Sequence, residues 1–560
     1  MSFKKDDFHE SSKSIDNTPN LSFEIDRDQN QYELDDLDAY DSKKSVKKPL
    51  ITSDSSDSES SRDDNITNDN TIATGIQNTS ALKQFWYYKK VICLCALISL
   101  TGFLFGWDTG VIGGIINMNS FITKLGHEII IDPLDPSKTK IILESYKTGA
   151  IVSGYHIGCI TGGFTIAKLA DTLGRRYPIL ISMATYIVGI LIQISSIYTG
   201  WWIQFVLGRF TTGLCIGSVA VLSPMLISET APTVIRGSCV CLYGLNICGA
   251  IFWASITVFQ CKEHYPMTNI EWILPLALGI LAASIASVGI LLTPESPRYL
   301  ISQNDYINAR ISLQKIGDSD IEKTLNSIQE SLLLDSNANE LPFTEIFKKR
   351  YIKRVIIGVF MMVFQQMSGI DYFFYYGTAL FKYAGVEDSY FTSIILASVN
   401  FLVTIPGIYI IEKLGRRKAL LIGSVLCFIS LFIYSTVGTF MLDANASSPE
   451  VNKTPGMIMV IFTCLFIISF SPSWGASAGV FVSELYPLHI KSSAVAFGIA
   501  FNWGSNFFIG FCTPIISEQI GYAYGYVFTG FMFIGFWFVY YMVPETQGIS
   551  LEQISALFEN

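Results

Sequence analysis

The sequence predicts an all-α membrane protein whose transmembrane helices, about twelve in number, form two six-helix halves. Half of its 560 residues are hydrophobic and only 15% are charged, whereas about a quarter of the residues of a soluble domain carry charge. Apolar runs long enough to cross a bilayer recur from residue 91 to residue 543. Short motifs of the first half also return in the second half, which indicates a duplicated unit.

The net charge of −9 belongs to the first part of the chain. Residues 1–80 hold nine Lys and Arg against eighteen Asp and Glu, which leaves 29 residues of each sign for the rest. This acidic, Ser-rich tail (1–85) is predicted to be disordered and cytosolic, and the balanced remainder gives no reason to expect a nucleic-acid partner. Its serines between Ser53 and Ser60 and its lysines could be targets of a kinase and of the ubiquitin machinery, although a plain solvated spacer fits equally well.

Behind the tail we expect a first half (86–293), a cytosolic helical linker (294–353), a second half (354–543) and a short cytosolic end (544–560). The apolar residues of the linker are spaced for short amphipathic helices. The apolar runs lie at approximately 91–115, 147–168, 177–197, 201–227, 237–260, 272–293, 354–381, 391–411, 419–441, 456–482, 491–514 and 523–543.

Lys and Arg are concentrated in alternate connections between these runs, and the positive-inside rule then places both chain ends in the cytosol. Sequons at Asn445 and Asn452 fall in an outer loop, where they are predicted to carry glycans. Most of the eleven cysteines lie within apolar runs, and no C-x-x-C pair occurs. We therefore expect no disulfide framework, no metal site and no cofactor.

The seventh apolar run carries polar side chains in its middle. Gln365, Gln366 and Asp371 recur near helical spacing and can share one helix face, and Ser368-Gly369 between them can let the helix bend. Paired amides suit a polyhydroxylated solute, because each hydroxyl both donates and accepts a hydrogen bond. The alternative is that these groups only bond neighbouring helices. We favour the solute, because polar clusters inside a membrane usually mark a pathway.

Three charged motifs of the first half recur about 250 residues later: a Gly-Arg-Arg loop, a Ser-Glu pair followed by a basic residue, and a Pro-Glu pair. Each places arginines or carboxylates at a cytosolic helix end, where bidentate pairs can form. We expect pairs that span the halves to close an inner gate; the alternative is that the charges only anchor loops. The predicted gate residues are Arg175, Arg176, Glu229, Arg236, Arg416, Arg417, Glu484 and Lys491.

Several short stretches are together specific for one family. They are Gly106–Gly110, Gly208–Phe210, Ser228–Pro232 with Arg236-Gly237, Pro294–Arg298, Gln365-Gln366, both Gly-Arg-Arg loops, Asn502-Trp503 and Pro544–Thr546. On these stretches the chain from about Lys90 to Asn560 resembles the sugar porter family of the major facilitator superfamily, most closely the yeast hexose transporters.

The resemblance implies the major facilitator fold, a plasma-membrane location and alternating-access transport of a monosaccharide, a glucose-like hexose. Facilitated diffusion is the leading expectation; a proton-coupled sugar or polyol symporter and a non-transporting sugar sensor stay open as alternatives. An enzyme is not expected, because the sequence has no visible nucleophile–base pair, metal cluster or phosphate-binding loop.

The resemblance also implies roles for individual residues. The sugar site would include Gln365 and Gln366 in the seventh helix, Asn400 in the eighth, and Asn502 with Trp503 in the eleventh. A structural alternative remains for the tryptophan, because this residue type often only fills helix interfaces.

Further positions follow from the same resemblance. Tyr375 and Tyr376 sit where the family uses aromatic residues to gate the outer mouth. Asp108 with Arg209 matches the pair that titrates in proton-coupled relatives. Passive yeast carriers keep this aspartate as well, so it does not decide between proton coupling and passive flow. His156 on the second helix is expected to be packed and hydrogen-bonded.

The chain departs from the family's pattern at three positions. Gly244 stands where the fifth helix of relatives carries a sugar-binding glutamine, and Asp371 stands where the seventh carries asparagine. The tenth helix runs from Trp474 to Gly479 without the proline and the aromatic residue that follow the tryptophan in relatives. Loss of an amide that bonds a hydroxyl can cost about 1–3 kcal/mol. We therefore expect a wider or weaker-binding pocket than that of a glucose specialist, with Asp371 protonated as a substitute for asparagine.

Overall fold

The structure is a computed structural model that describes residues 86–547 except 133–134, 233, 318–319, 338–342, 385, 387 and 443–453. The acidic tail and the sequons at Asn445 and Asn452 therefore lie outside the described residues. Within the described part the chain is helical almost throughout, and one short antiparallel hairpin is its only sheet.

Six long helices build the first half, and each coincides with one apolar run. A short helix (Asn119–Leu125) and a hairpin of strands β1 (His127–Asp132) and β2 (Asp135–Ile142) connect the first two of them. In the hairpin His127 pairs with Ile142. We number the long helices spans 1 to 6 in chain order: Lys89–Ile115, Ser145–Thr165, Arg176–Thr199, Trp202–Thr230, Arg236–His264 and Ile270–Leu292.

The second half repeats this pattern with two interrupted helices. Span 7 consists of Lys349–Met367 and Ile370–Tyr383, and span 10 consists of Thr454–Phe470, a wide π turn at Ser471–Gly475, and Ser477–Leu485. The remaining helices are span 8 (Ser389–Leu414), span 9 (Arg416–Val437, followed by a π turn at Gly438–Leu442), span 11 (Leu488–Ile520) and span 12 (Gly525–Met542).

Eleven helical stretches of the described chain are long and apolar enough to cross a membrane. The last of them, Ser493–Met542, has 50 residues, which is about 75 Å at 1.5 Å per residue and more than twice the thickness of the hydrocarbon layer. A 3-10 turn at Gly521–Tyr524 divides this stretch into spans 11 and 12. The described chain therefore makes twelve crossings, as the sequence predicts.

Span 7 is fully broken at the point where the sequence predicts a bend. Gly369 has a φ of +90°, in the left-handed region that only glycine adopts without strain. A Cβ atom at this position would also lie 2.7 Å from the ring of Phe528. The break therefore requires glycine for two reasons, and it starts a new helix with Asp371 in its first turn.

The linker forms three helices at the end of the bundle that carries the Gly-Arg-Arg loops: Pro297–Ser302, Tyr306–Ile316 and Ile321–Asn337. The carboxylate of Asp305 caps the second helix by accepting hydrogen bonds from the backbone N–H and side-chain amide of Asn308, and these bonds lower the pKa of that carboxyl. Ile301, Leu313 and Leu325 join the three helices in a small core of their own, as expected for amphipathic helices.

Small residues let the helices of the first half approach closely. A Cβ atom at Gly106 of span 1 would collide with the Ile247 carbonyl oxygen of span 5, and one at Gly217 of span 4 would collide with the Cys159 carbonyl oxygen of span 2. Apolar surface gives little drive for association within lipid, so backbone contact of this kind holds membrane helices together. The first half is thus a tightly packed unit.

The two halves meet at the end of the bundle opposite to the Gly-Arg-Arg loops. Gly113 of span 1 lies against the Phe374 carbonyl of span 7, and Gly149 of span 2 lies against the Phe511 carbonyl of span 11. Both contacts are too close for a side chain at the glycine. At this end the halves are therefore in direct backbone contact.

The substitution Gly217→Val is expected to destabilise the protein, because overpacking a close contact costs about 1–3 kcal/mol and here the added atoms meet backbone. The thermal midpoint of the purified chain in detergent should fall by several degrees. Gly530→Val is the matched control, because a Cβ atom at Gly530 of span 12 has no atom within 4 Å. Equal midpoints for the two variants would contradict the packing described for spans 2 and 4.

Candidate functional site

Three predicted side-chain amides come together between spans 7 and 11. Asn502 donates through Nδ2 to Gln365 Oε1 (2.9 Å) and to the Met362 carbonyl (3.1 Å). Gln366 donates through Nε2 to Asn502 Oδ1 at 3.0 Å. We call Gln365, Gln366 and Asn502 the amide cluster. Gln365, Gln366 and Asn502, which the sequence singles out separately, therefore lie together, and their role in sugar binding stays a prediction.

Span 10 completes this cluster with backbone rather than with a side chain. Gln365 Nε2 donates to the carbonyl oxygens of Trp474 (3.0 Å) and Gly475 (3.2 Å). These carbonyls lie at the end of the π turn, where the helical hydrogen-bond ladder is interrupted and carbonyls lack an intrahelical donor. Gln366 Oε1, in contrast, is buried and accepts no hydrogen bond from the described residues.

Asn400 does not join the amide cluster in the described contacts. It lies in span 8, is 7% exposed, and its side chain hydrogen-bonds the Cys248 thiol of span 5. Thr404, one turn further on, also donates to Cys248 at 3.4 Å. The predicted site residue of span 8 thus contributes to a contact between the halves.

Asp371 pairs with an asparagine that the sequence analysis does not single out. The Asn506 side chain hydrogen-bonds its carboxyl group, yet Asp371 Oδ2 and Asn506 Oδ1 are both buried without a hydrogen-bond donor among the described residues. A proton on Asp371 would give this carboxyl group a hydrogen bond to donate. Asn506 lies one helical turn after Asn502, so helical periodicity was the signal that could have found it.

The two predicted gate tyrosines have different partners. The Tyr375 hydroxyl and His156 Nε2 share a hydrogen bond of 3.1 Å between spans 7 and 2, which crosses from one half to the other. The Tyr376 hydroxyl donates to the Gly510 carbonyl at 2.5 Å within the second half. His156 is fully buried, packed and hydrogen-bonded, as expected from the sequence.

Trp503 lies at the meeting point of the two halves. Its ring centroid is 5.4 Å from that of Phe105 in span 1 and 6.1 Å from that of His156 in span 2. The indole is 5% exposed. One turn of span 11 thus carries an amide toward span 7 and an aromatic ring toward the first half.

Asp108 and Arg209 form a buried ion pair between spans 1 and 4. Neither side chain is more than 2% exposed. Arg209 also donates through Nε to the Ile151 carbonyl at 3.2 Å, and its guanidinium lies 4.6 Å from the ring centroid of Tyr155. Tyr155 precedes His156 in span 2, so the ion pair lies next to the contact between the halves.

Two of the three departures from the family pattern leave open space. A Cβ atom at Gly244 or at Gly479 would have no atom within 4 Å. Gly244 lies one turn before Cys248, which faces span 8, and Gly479 lies one turn after Gly475, whose carbonyl binds Gln365. Gly244 is therefore on the helix face that points toward the second half.

The charged motifs form two matching clusters at one end of the bundle, which we call the arginine end. Arg175 binds Glu229 in a bidentate pair with both distances at 3.0 Å. Arg416 donates to Glu484 at 3.0 Å. Arg236 donates to the Ala231 carbonyl at 3.4 Å.

Two further carboxylates fix the Gly-Arg-Arg loops. Glu295 accepts the backbone N–H groups of Arg175 (2.9 Å) and Arg176 (3.1 Å). Glu545 accepts those of Arg416 (2.9 Å) and Arg417 (3.1 Å). The duplicated motifs are therefore duplicated contacts, with the same geometry in both halves.

In this structure the arginine–glutamate pairs lie within the halves, and the expectation that pairs across the halves close an inner gate stays a prediction. Arg175–Glu229 lies wholly in the first half, and Arg416–Glu484 lies wholly in the second. The physical reason is the anchoring by Glu295 and Glu545, which holds each loop against the helix ends of its own half. The alternative reading, in which these charges anchor loops, matches the observed pairs.

The fold and this arrangement define a membrane transporter of the major facilitator superfamily. Residues 94–558 match the family model described as "Sugar (and other) transporter", and the chain belongs to this family. Because this is a family of transporters, the expectation that the chain is not an enzyme is confirmed.

Three yeast proteins that are named as hexose or galactose transporters are more than one-third identical to the chain. Hexose transporter HXT10 of Saccharomyces cerevisiae is 39% identical over 482 residues, which cover 84% of this chain and 86% of the relative. Hexose transporter 2 of Kluyveromyces lactis is 38% identical, with 84% and 83% covered. The Galactose transporter of S. cerevisiae is 36% identical, with 84% and 82% covered.

Solved structures show the same fold at lower identity. The inward-open xylose transporter XylE of E. coli aligns with a TM-score of 0.67 and 23% identity, over 83% of this chain and 99% of that chain. The proton:xylose symporter XylE bound to 6-bromo-6-deoxy-D-glucose aligns with a TM-score of 0.68 and 23% identity, over 84% and 99%. The prediction of the major facilitator fold is confirmed.

A double-mutant cycle tests whether the ion pairs lie within the halves. Arg175→Ala and Glu229→Ala should be coupled by about 0.5–3 kcal/mol in the free energy of unfolding, because residues in one ion pair do not act additively. Arg175→Ala and Glu484→Ala, which combine the two halves, should be additive within error. Coupling of the second pair as strong as that of the first would contradict the assignment.

Proposed function

We propose that this protein carries glucose-like hexoses across the plasma membrane by facilitated diffusion. The two halves alternate their access to the two sides, and both chain ends lie in the cytosol. The observation that carries the proposal is the amide cluster, which places three amides at the contact of spans 7, 10 and 11. The names of the yeast relatives and the positive-inside bias support the substrate and the orientation.

The chemistry of the amide cluster suits a sugar that must be bound and released. Each amide offers donors and an acceptor, as each sugar hydroxyl does. A bound sugar exchanges its hydrogen bonds for those among Gln365, Gln366 and Asn502, so the net gain per bond is only about 0.5–1.5 kcal/mol. Such exchange gives the moderate affinity that a carrier needs, and Gln366 Oε1 is available as the first acceptor.

Trp503 supplies an apolar surface beside these amides. The ring face can pack against the C–H groups of a sugar while the hydroxyls bond the amides. Because the same ring contacts Phe105 of the first half, a sugar at this position touches both halves. Closure of the halves around the sugar then depends on its presence.

The direction of opening follows from where the halves are joined. Their backbones are in contact at the end opposite to the arginine end, and the arginine–glutamate pairs stay within each half. We assign the arginine end to the cytosol. The conformation is then one in which the pathway opens inward, and the contact of His156 with Tyr375 helps to close the outer end.

Proton-coupled symport is the second candidate, and Asp371 is the observation that favours it. Its Oδ2 and the Oδ1 of Asn506 are both buried without a donor among the described residues, and a proton on the carboxyl group would add one donor. We favour a permanently protonated Asp371 that replaces asparagine, because a neutral carboxyl group donates and accepts as an amide does. The Asp108–Arg209 pair would be the other group to titrate in a symporter.

We extend the proposal to the segments outside the described residues. Asn445 and Asn452 would carry glycans on an outer loop. The acidic tail would be a target of kinases and of the ubiquitin machinery, because it combines clustered serines with lysines.

Replacing Gln365 and Gln366 by leucine is expected to abolish uptake, because Asn502 loses its partners and the sugar loses both amides. The measurement is the initial rate of labelled glucose uptake in a host that lacks hexose carriers of its own. Gln260→Leu, at an exposed position of span 5, is the control. Unchanged uptake by the double variant, at equal amounts of protein in the membrane, would contradict the proposed site.

Substitution of Gly244 by glutamine is expected to strengthen glucose binding by roughly tenfold, because one additional hydrogen bond is worth about 1 kcal/mol or more. A Cβ atom at this position has no atom within 4 Å, so the new side chain begins without a clash. Competition between glucose and a labelled sugar gives the affinities. Gly237→Gln, on the same helix and also in open space, should leave the affinity unchanged; an equal effect of both variants would contradict the role of position 244.

The variant Asp371→Asn distinguishes the two candidates. For facilitated diffusion with a neutral Asp371, uptake and its dependence on pH should stay within about twofold of the parent chain, because one neutral hydrogen-bonding group replaces another. Uptake is measured between pH 5 and pH 8 with and without a proton uncoupler. Loss of a pH dependence that the parent chain shows would favour the symporter.

A further inference from the structure

A cavity of about 880 Å³ lies at the arginine end, away from the amide cluster. It forms where the beginning of span 1, the loop between spans 4 and 5, and the linker helices meet. Among its described lining residues are the cations Lys89, Lys90, Arg236 and Lys323 and one carboxylate, Glu229; Arg298 also lies in the lining but has a partner of its own. The four cations come from three separate parts of the sequence and converge only in the folded chain.

The carboxylate in the lining does not neutralise these cations. Both oxygens of Glu229 accept hydrogen bonds from Arg175, which is not part of the lining. This pair is held in place by the anchoring of the Gly-Arg-Arg loop, so Glu229 is committed to its own partner. The cavity therefore keeps a strong excess of positive charge, which attracts anions.

Two of the cations stand where a helix begins. Arg236 is the first residue of span 5, whose start has no side-chain cap, and Lys323 lies in the first turn of the helix Ile321–Asn337. The beginning of a helix carries a partial positive charge, so a basic residue there is unfavourable unless an anion is close. At span 5 a ligand with negative charge would satisfy both the helix end and the Arg236 side chain. The helix Ile321–Asn337 already has the Asp320 carboxylate at its beginning, which accepts the Lys323 backbone N–H at 3.3 Å, so there the ligand would meet only the Lys323 side chain.

Lys90 links the two sides of the cavity. Its side-chain carbons pack against Gly317, which ends the linker helix Tyr306–Ile316. The hydrophobic residues Leu313 and Ile316 of this helix also line the cavity. The cavity thus combines a basic side with an apolar side, and its volume lies in the range of about 300–1,000 Å³ that is usual for pockets of small organic ligands.

We propose that this cavity binds a small organic anion that carries two or more phosphate groups. Arginine and lysine are the residues that proteins use for phosphate, and several of them around one cavity favour a ligand with several charges. The ligand is either a soluble phosphorylated metabolite or the headgroup of a phosphoinositide. Both sources present the same chemistry to the site.

A bound anion would connect the linker to the loop between spans 4 and 5. The segment from Ser228 to Pro232 forms part of the lining, and it contains the glutamate that holds Arg175. An anion that bridges this loop and Lys323 restrains the cytosolic end of span 4. Because a ligand shifts a conformational equilibrium only by its differential affinity for the two states, the ligand is expected to slow exchange between them and to lower the rate of transport.

The test measures binding to the purified full-length chain, without sugar. The probes are inositol 1,4,5-trisphosphate, ATP, and vesicles that contain phosphatidylinositol 4,5-bisphosphate or, for comparison, phosphatidylserine at equal charge. We expect the parent chain to bind at least one multiply phosphorylated probe more tightly than phosphatidylserine vesicles. Binding of trisphosphate or ATP indicates a soluble ligand, and binding of the phosphoinositide vesicles alone indicates a lipid.

The variant Lys90→Gln/Lys323→Gln should weaken binding of that probe by roughly 30-fold, since each cation near an anionic group contributes about fivefold. The matched control is Lys315→Gln/Lys349→Gln, two exposed lysines of the linker region outside the lining, with an expected change of less than threefold. If the double variant is not recovered in folded form, the single variant Lys323→Gln, on an exposed helix, replaces it in the binding measurement, with an expected weakening of about fivefold.

Three outcomes would overturn the proposal. They are no binding of any phosphorylated probe by the parent chain, equal weakening by the cavity variant and the control, and equal binding of phosphatidylserine vesicles. The last would mean that the lysines act only as a general anionic-membrane surface. Because the assay contains no sugar and measures no flux, its result is independent of whether the chain carries hexoses.

Discussion

The structure depends on one constraint, which is that polar groups inside a membrane must find hydrogen-bond partners within the protein. Gln365, Gln366 and Asn502 meet this constraint by bonding one another and the carbonyls of the π turn in span 10. The breaks in spans 7 and 10 serve the same purpose, because they release backbone groups next to these amides. In the proposed function a bound sugar would replace such bonds one for one, which would satisfy the amides both with and without the sugar.

The described ion pairs of the two halves and the anchored loops lie within one half each, whereas the halves meet through close glycine contacts at one end of the bundle and through single hydrogen bonds. Close glycine packing joins spans 1 and 5 and spans 2 and 4, and an arginine–glutamate pair with an anchored loop fixes the arginine end of each half. Between the halves, the described polar contacts are single hydrogen bonds, such as that of His156 with Tyr375 and that of Thr404 with Cys248. Single bonds can be exchanged without unfolding either unit.

Much of the fold was accessible from the sequence, because apolar runs of membrane length are unambiguous. Twelve spans, the broken span 7 and the helical linker follow from length, the Ser368-Gly369 pair and amphipathic spacing. The meeting of Gln365 and Gln366 with Asn502 followed from the family resemblance, since periodicity along one helix cannot say which other helix it faces.

Other features were beyond the sequence for identifiable reasons. Repetition of a motif shows that two positions are equivalent, but it does not show whether their charges pair across the halves or within them. The pairing of Arg175 with Glu229 depends on how Glu295 anchors the loop, which is visible only in the structure. The sequence places Asn400 in the eighth helix, where the structure has it, but does not reveal that its partner is the Cys248 thiol of the other half. Asn506 was within reach of the periodicity argument, since it lies one turn from Asn502. The open space at Gly244 and Gly479 depends on the distance between helices, which residue identity does not encode.

The most direct test of the account is an experimental structure of the full-length chain with a bound hexose. The account predicts that the sugar lies between the halves, with hydroxyl oxygens within about 3.2 Å of amide atoms of Gln365, Gln366 and Asn502, and with the mutual amide bonds replaced. A sugar bound elsewhere, with the amide cluster intact, would contradict it.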